Sequence, residues 1–452
     1  MNVRELKRVY FVGIGGIGMS ALARFFHEQG TVVSGYDRTQ TELTKKLENE
    51  GISIHYTDNL TLIDKEAELV VYTPAIPKSH SELTWFRENN YPVFKRSDVL
   101  QWITERLFSI TVAGTHGKTT ISTMIAFLLR ETGYGCNAFL GGVSVNYDSN
   151  YWSSQNQVAV IEADEYDRSF LKLFPDIAVL TAMDPDHLDI YGTVQELEKA
   201  FVQYTANIKH QGTLFVKHGL PKGLELKAPQ LISYSLINEA ADIFATNIVM
   251  HNGSYTFDIH SPFGNIEDLS LNIGGMHNVE NALVAISVAQ KLNIDSQKIK
   301  TALAQFHGVK RRFEYIVKND RIVYIDDYAH HPAELSALIS SAKKLFPKRR
   351  CVIAFQPHLF SRTRDFASEF AASLDMADEV LLLDIYPARE LPIEGVTTNI
   401  IAEKMINSAH TLLSKEALLE YVRVAPLDLF ITAGAGDIDK LINPIKEILE
   451  TR

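Results

Sequence analysis

Only two cysteines, Cys136 and Cys351, occur in 452 residues. That excludes a disulfide framework and a cysteine-built zinc site, and it suits a reducing compartment. No run of 18 apolar residues is present, so a membrane span is not expected. Basic residues are in deficit: 44 Lys and Arg face 55 Asp and Glu, a formal net charge of -11. The average surface therefore repels nucleic acid and anionic membranes, and neither is expected as a partner. A phosphate-bearing ligand has to be met by local amides, Lys and Arg. Compositionally biased tracts are also missing, and 46% hydrophobic with 22% charged residues describes a chain that folds throughout. Arg4, Lys7 and Arg8 ahead of "VYFVGIGGIGMSALA" imitate a secretory signal, but glycines fill the would-be apolar stretch and no cleavage site follows. The cytoplasm is the expected location.

What is present is a repeated alternation of short apolar strands with helical segments, the pattern of an α/β protein built on parallel sheets. The length suggests two to four domains, with three as the expectation. Residues 1–107 read as a Rossmann-like domain in which a strand, a glycine-rich turn, a helix ended by Gly30 and a second strand ending at Asp37 follow one another. A fresh start at "LFSITVAG" opens a central domain, 108–310, with a P-loop and a parallel sheet. Its pattern changes to period two between 243 and 273, where "IVMHNGSYTFDI" predicts a hairpin about Asn252-Gly253 and so a small antiparallel addition. Residues 311–452 alternate once more as a second Rossmann-like domain, each strand ending in polar or glycine residues. Ligands of open parallel sheets sit at those carboxyl ends.

Two glycine loops invite phosphate. "TVAGTHGKTT" departs from the standard P-loop, because Val112 stands where the first glycine is usual. Even so, a buried strand running into Gly-Lys-Thr at a helix start supplies convergent amides, the positive end of a helix, a lysine and a hydroxyl for magnesium. "GIGGIGM" contains Gly13, Gly15, Gly16 and Gly18, with Asp37 about twenty residues on, as a dinucleotide fingerprint asks. Such a loop takes any pyrophosphate, so NAD, FAD and UDP-sugars stay open at this point. Glu162, Asp164 and Glu165 end one strand of the central domain and His187 follows the next, a placement that suits a hard cation shared with phosphate oxygens. In the last domain "DDYAHHPAE" groups Asp326, Asp327, His330 and His331, and "QPHLFSRTRD" supplies His358, Arg362 and Arg364. Zinc is disfavoured there, since Pro332 opens a helix directly after the histidines and no HExxH spacing exists. The arginines are read as clamps for phosphate or carboxylate.

Taken in order, "GIGGIGMSALA", "GTHGKTT", "EADEYDRSFL", "HNVENALVAI", "GVKRRFE", "DDYAHHPAE", "FQPHLFSRTRD" and "DIYPARE" resemble the motifs of the Mur ligase family over nearly the whole chain. Several are weak singly, but the ordered set is specific. The resemblance implies an ATP-dependent amide ligase of the alanine-adding branch. It would join L-alanine to the lactoyl carboxylate of UDP-N-acetylmuramate through an acyl phosphate, giving ADP and phosphate for peptidoglycan precursor synthesis.

On that resemblance the N-terminal loop, Gly13, Gly15, Gly16 and Gly18 with Asp37, takes the UDP-sugar, and Gly114, Thr115, His116, Gly117, Lys118, Thr119 and Thr120 take ATP. Lys118 would neutralise the β and γ phosphates. Thr119 and Glu162 would hold one Mg2+, and His187 would help hold a second. Asn278 and Asn281 would meet the adenine side, while Asp327 and Arg312 would reach the ribose and phosphate from the C-terminal domain as it closes. Tyr328, His330, His358 and Arg362 would close on the amino acid and the lactoyl carboxylate, with His330 a candidate base.

Two departures from the family pattern stand out. Fifteen residues beyond His187 lies Val202, so the carbamylated lysine of several Mur ligases is absent, and Tyr166 stands where Ser is common. UDP-N-acetylmuramate and L-alanine are the implied partners, and either a monomer or a homodimer is compatible. The rival readings are a recycling ligase of the same family that adds a whole murein peptide, a nicotinamide-dependent oxidoreductase using the first loop, and a non-catalytic NTP-binding module. The second leaves the Gly-Lys-Thr loop without a purpose, and the third fits poorly with so many charged strand ends.

Overall fold

The computed structural model describes residues 5–185, 188–220, 225–388, 390–406 and 409–452, with nothing described for the side chains of Leu188 and Asp189. It contains three sheets. The first has β1 (Arg8–Val12), β2 (Val32–Tyr36), β3 (Ser53–His55), β4 (Leu69–Tyr72) and β5 (Val93–Lys95) in the order β3-β2-β1-β4-β5, all parallel. Its order reverses direction at β1, the place where an open parallel sheet leaves a crevice at its carboxyl end. The glycine-rich turn follows β1 directly.

The second sheet holds β6 (Phe108–Ala113), β7 (Asn137–Ser144), β8 (Ser149–Trp152), β9 (Val158–Glu162), β10 (Ile177–Leu180), β11 (Thr213–Lys217), β12 (Gln230–Ser235), β13 (Ile243–His251), β14 (Ser254–His260) and β15 (Ile266–Leu271). Its order is β15-β14-β13-β12-β11-β10-β6-β9-β7-β8. Pairing is parallel from β13 through β7, and β8 closes that edge antiparallel. The hairpin expected about Asn252-Gly253 is present as the two-residue link between β13 and β14. Both linking residues are left-handed, at φ 44° and 73°, as the tightest hairpin turns demand. The third sheet comprises β16 (Glu314–Lys318), β17 (Val323–Asp327), β18 (Cys351–Phe355), β19 (Glu379–Leu382), β20 (His410–Leu412) and β21 (Leu429–Ala433) in the order β16-β17-β21-β18-β19-β20. Only its first pair is antiparallel. The protein is thus a three-domain α/β structure with a parallel sheet in each domain. Among the described residues no helix is long and apolar enough to cross a membrane.

Three sheets do not make three compact units. Met1–Thr246, Asp258–Leu269 and Glu280–Leu303 form one unit, and Asn247–Phe257, Ser270–Val279 and Ala304–Arg452 form the other. In the first unit the N-terminal and central sheets share one apolar core, in which Phe11, Leu22, Phe25 and Phe26 continue into Phe139, Tyr151, Ile161 and Phe201. The helix Ile17–Glu28 explains this. Every residue from Met19 to Phe26 is buried, as happens when a helix is covered on all sides. Phe25 meets Phe26 at 5.4 Å, Phe139 at 5.3 Å and Tyr151 at 6.4 Å between ring centroids.

Polar groups complete that junction. Arg24, 6% exposed at its side chain, makes two hydrogen bonds of 2.7 Å to Glu50 and a third to the Asn150 carbonyl oxygen. Asn150 is wholly buried and donates to Ile17 O at 2.6 Å and to Ser20 Oγ at 2.9 Å. Every polar atom of this buried amide is therefore satisfied, the condition under which it can be buried without penalty.

Candidate active site

The central loop begins later than the standard pattern because β6 lasts longer. Val112 pairs with Glu162 of β9, and Ala113 with Leu180 of β10. Val112 is thus a ladder residue, and the bend starts at Gly114 with φ +123°. A Cβ there would lie 2.2 Å from Thr181 Oγ1 and 2.7 Å from Ala182 N, so only glycine fits. The loop is fastened to the end of β10. Thr115 N donates to Ala182 O at 3.1 Å, the Thr181 hydroxyl donates to His116 O, and Asp184 N donates to Thr115 Oγ1 at 3.2 Å. His116 stays exposed, 3.4 Å from Asp184. Gly117, at φ +79°, leads into the helix Lys118–Glu131, which no side chain caps among the described residues. Its first-turn N–H groups and positive end therefore face the loop, an arrangement suited to phosphate. Thr119 and Thr120 follow on the first turn, both half-buried.

Lys118 does not dangle into solvent. Its ammonium donates to Gly114 O and to Glu165 Oε1, each at 2.8 Å. Glu165 is completely buried. Burial pushes its carboxyl above the usual range, and the Lys118 charge pulls it back. The sequence grouped Glu165 with Glu162 and Asp164 as carboxylates for a cation, whereas the fold gives Glu165 to the lysine. Glu162, at the end of β9, accepts from Gly141 N at 3.2 Å. Asp164 Oδ1 accepts from Tyr166 N at 3.0 Å, and its other oxygen lies 3.7 Å from Arg96.

The Thr119 hydroxyl at the helix start and the Glu162 carboxylate at the neighbouring strand end are hard oxygen donors of the kind Mg2+ selects, with phosphate oxygens to complete the shell. His187 lies outside the described residues. Among the described residues no three His, Cys, Asp or Glu side chains gather into a metal cluster of their own. On the helix Met276–Lys291, Asn281 brings its Oδ1 to within 3.1 Å of where a Cβ on Gly117 would be, beside the loop. Asn278 is buried and donates to Gly274 O at 2.6 Å.

At the N-terminal loop Gly13 is left-handed, at φ +89°. Asp37 Oδ2 accepts from Gly15 N at 2.8 Å and its Oδ1 accepts from Thr39 N at 3.1 Å, so this carboxylate shapes the loop itself. Gly16 precedes the helix as its N-cap. Gly18 is covered by the Arg96 guanidinium, whose Nη1 is 2.2 Å from a Cβ position there. Sequence reading missed Arg96. Its only signal was a cation opening the helix after β5, which an ordinary surface helix also shows. A separate cleft of about 960 Å3 is lined by Arg8, His27, Ser34, Ser53, His55 and Asp64. It borders the starts of β1 and β2 and the length of β3, and none of the expected site residues lines it.

In the second unit the aromatic residues expected to meet the amino acid lie together. Ring centroids of Tyr328 and His330 are 5.2 Å apart, those of His330 and His358 6.1 Å. Tyr386, from the "DIYPARE" segment, stacks on His358 at 5.9 Å and was not singled out from sequence. His330 Nδ1 lies 3.0 Å from Tyr328 O. A carbonyl only accepts, so Nδ1 carries the hydrogen and Nε2 keeps its lone pair. Burial lowers the imidazole pKa from its ordinary value, helped by Arg362 and Arg312 and opposed by Glu334 and the Tyr328 carbonyl. Arg362 Nη1 is buried with no hydrogen-bond partner among the described residues, a donor waiting for an anion. Leu359, at φ +71°, is a strained link between His358 and the short helix carrying Arg362.

The Arg312 guanidinium is over the Tyr328 ring at 5.9 Å. Asp327 accepts from Phe313 N and Ala329 N, each at 2.7 Å, and thereby holds the segment that presents Arg312. Arg311 ties the same segment to the buried Asp326 at 3.0 Å. His331 caps the helix Pro332–Leu345, so its role is structural.

Comparison with known proteins agrees with this layout. The Mur ligase family catalytic domain matches residues 8–107, the Mur ligase middle domain 112–289, and the Mur ligase glutamate ligase domain 311–436. A UDP-N-acetylmuramate–L-alanine ligase of Cytophaga hutchinsonii is 47% identical over 461 residues, covering 100% of this chain and 99% of that protein. The crystal structure of a UDP-N-acetylmuramate–alanine ligase from Thermotoga maritima is similar with a TM-score of 0.82 at 27% identity, covering 98% and 99% of the two chains. A murein peptide ligase from Psychrobacter arcticus shares the fold with a TM-score of 0.66 at 23% identity, covering 97% and 99%. With its three parts matched in order and a relative this close along its full length, the chain belongs to the Mur ligase family.

Proposed function

We propose that this protein is an ATP-dependent ligase that forms an amide between L-alanine and the lactoyl carboxylate of UDP-N-acetylmuramate, releasing ADP and phosphate. The observation that carries the reading is the joint at Gly114 to Thr119, where an uncapped helix start, a fixed lysine and an adjoining strand-end carboxylate converge as a triphosphate requires. The alanine branch, as against the recycling branch, is supported by the full-length similarity to a protein named for that reaction and by the higher TM-score to the Thermotoga maritima enzyme.

A carboxylate does not react with an amine at neutral pH, because its oxygen is too poor a leaving group. Transfer of the terminal phosphoryl group of ATP converts it to an acyl phosphate. Lys118 and the first-turn amides stabilise the charge that gathers on the phosphoryl oxygens during transfer. Thr119, Glu162 and His187 are the residues for Mg2+, which when bound supplies further positive charge to the phosphates. Arg362 meets a carboxylate, and the bare Nε2 of His330 takes a proton from the alanine ammonium so that the amine attacks the activated carbonyl. Phosphate then leaves. The N-terminal loop with Arg96 beside it holds the UDP pyrophosphate.

The test is phosphate release with Mg2+, ATP and UDP-N-acetylmuramate, offering L-alanine, glycine, L-serine or L-Ala-γ-D-Glu-diaminopimelate. Release dependent on L-alanine and abolished in Lys118→Ala is expected. Turnover with the tripeptide alone would transfer the protein to the recycling branch.

A further inference from the structure

The ion pair between Lys118 and Glu165 does more than the phosphate chemistry asks of the loop. A lysine that only binds phosphate needs no carboxylate. Here a wholly buried one sits 2.8 Å from the ammonium, while Gly114 O takes a second N–H at the same distance. An ammonium has three hydrogens, so one is left for a ligand and its direction is set by the other two.

Glu165 is itself held. Its backbone carbonyl accepts from the Tyr191 hydroxyl at 2.7 Å and from Arg168 N at 3.0 Å, and the Arg168 guanidinium lies over the Tyr191 ring at 5.0 Å. The two residues after Tyr166, Asp167 and Arg168, are both left-handed at φ 53° and 55°. Two consecutive residues of this kind are strained, and strain of this sort persists only where the surroundings enforce it. Lys95 does so from the N-terminal sheet, holding Asp167 at 2.8 Å.

We propose that Glu165 is a positioning residue for phosphoryl transfer: it fixes the Lys118 ammonium and offsets part of its charge, so that the lysine grips the ground-state triphosphate less than it stabilises the transfer. This rests on the nucleotide reading of the loop given above. Interactions that strengthen only in the transition state raise turnover, whereas tighter ground-state binding does not.

The experiment compares the full-length protein with Glu165→Gln and Glu165→Asp. It reads equilibrium affinity for ATP with Mg2+ in the absence of the other substrates, and separately kcat and KM. Removing the charge in Glu165→Gln is expected to tighten ATP binding by about threefold and to lower kcat by about 10- to 100-fold. Glu165→Asp keeps the charge but is one methylene short, so affinity near the parent and a kcat lowered by about tenfold are expected. A Gln variant that binds ATP no more tightly than the parent, or turns over at the parental rate, overturns the proposal. If the Gln variant does not fold, an Asp variant with parental kcat does the same. Absence of Mg2+-dependent ATP affinity in the parent is a different result, because it removes the nucleotide reading itself.

Discussion

At the scale of single residues, the site shows how one side-chain type takes different work from its neighbours. His330 and His331 are adjacent, yet one meets the Tyr328 and His358 rings edge-on with Nε2 unprotonated, and the other caps a helix. Because its folded-state pKa is lowered, His330 is neutral at pH 7 and gains its proton only below its ordinary range. Turnover under saturating substrates is therefore expected to fall as pH drops into the acid range. In His330→Gln that acid limb should be lost, along with about 10²-fold or more of kcat. A pH–rate profile of both proteins checks this, and an unchanged limb in the variant would remove His330 as the base. The N-terminal loop gives a second case. A valine at Gly15 would drive its Cβ to 2.6 Å from Thr44 and 2.8 Å from Asp37, which opens the loop. Gly15→Val is expected to weaken UDP-N-acetylmuramate binding by tenfold or more while leaving ATP affinity within about twofold, as titration of each ligand will show. Selective loss of ATP instead would exchange the roles of the two loops.

Elements carry the connections that residues alone do not reveal. The helix Ile17–Glu28 starts at the glycine loop and ends against the central sheet, and Asn150 on β8 is the polar pin between them. Asn150→Leu keeps the volume but leaves one Arg24 N–H buried and unpaired, since the Ile17 carbonyl still accepts from the Ser20 hydroxyl at 2.9 Å, at a cost of about 1–3 kcal/mol. A lowered urea midpoint of the first unit is expected, and a midpoint unchanged within error would show that water replaces the amide. Nothing in "VNYDSNYW" announced this role, since Arg24 is 126 positions away and a polar residue near a turn is ordinarily solvated. The strand-to-helix joints were legible for the opposite reason. A buried run, left-handed glycines and a helix start are local demands, met within about ten residues. Gly133 lies at φ +80° two residues after the end of the helix Lys118–Glu131, a stop of the same local kind. Val112 was read as a departure from a motif, and the longer β6 supplies the reason.

On the scale of the whole molecule, three sheets resolve into two compact units with separate cores, one running through Phe25 and Phe139 and the other through Tyr324, Leu381 and Phe430. Denaturation is accordingly expected in more than one transition. ATP with Mg2+ at about 100 times its Kd should stabilise the unit that contains Lys118 by about 2.7 kcal/mol. The transition to follow is that of an intrinsic Trp102 or Trp152 signal, since both lie in that unit. A shift confined to the other unit would contradict the placement of the nucleotide on the central loop.

Fold class, the alternation of strand and helix, both glycine loops and the family were readable from residue order, because each depends on neighbours a few positions apart. The partners of Lys118, of Arg24 and of Gly18 were not. Glu165 is 47 positions from the lysine it holds, and Arg96 covers a helix start from the first turn of another helix. Long-range pairings of this kind follow from how sheets stack and which side chains become buried. A carboxylate that solvent would leave unattached becomes, once enclosed, obliged to find a cation.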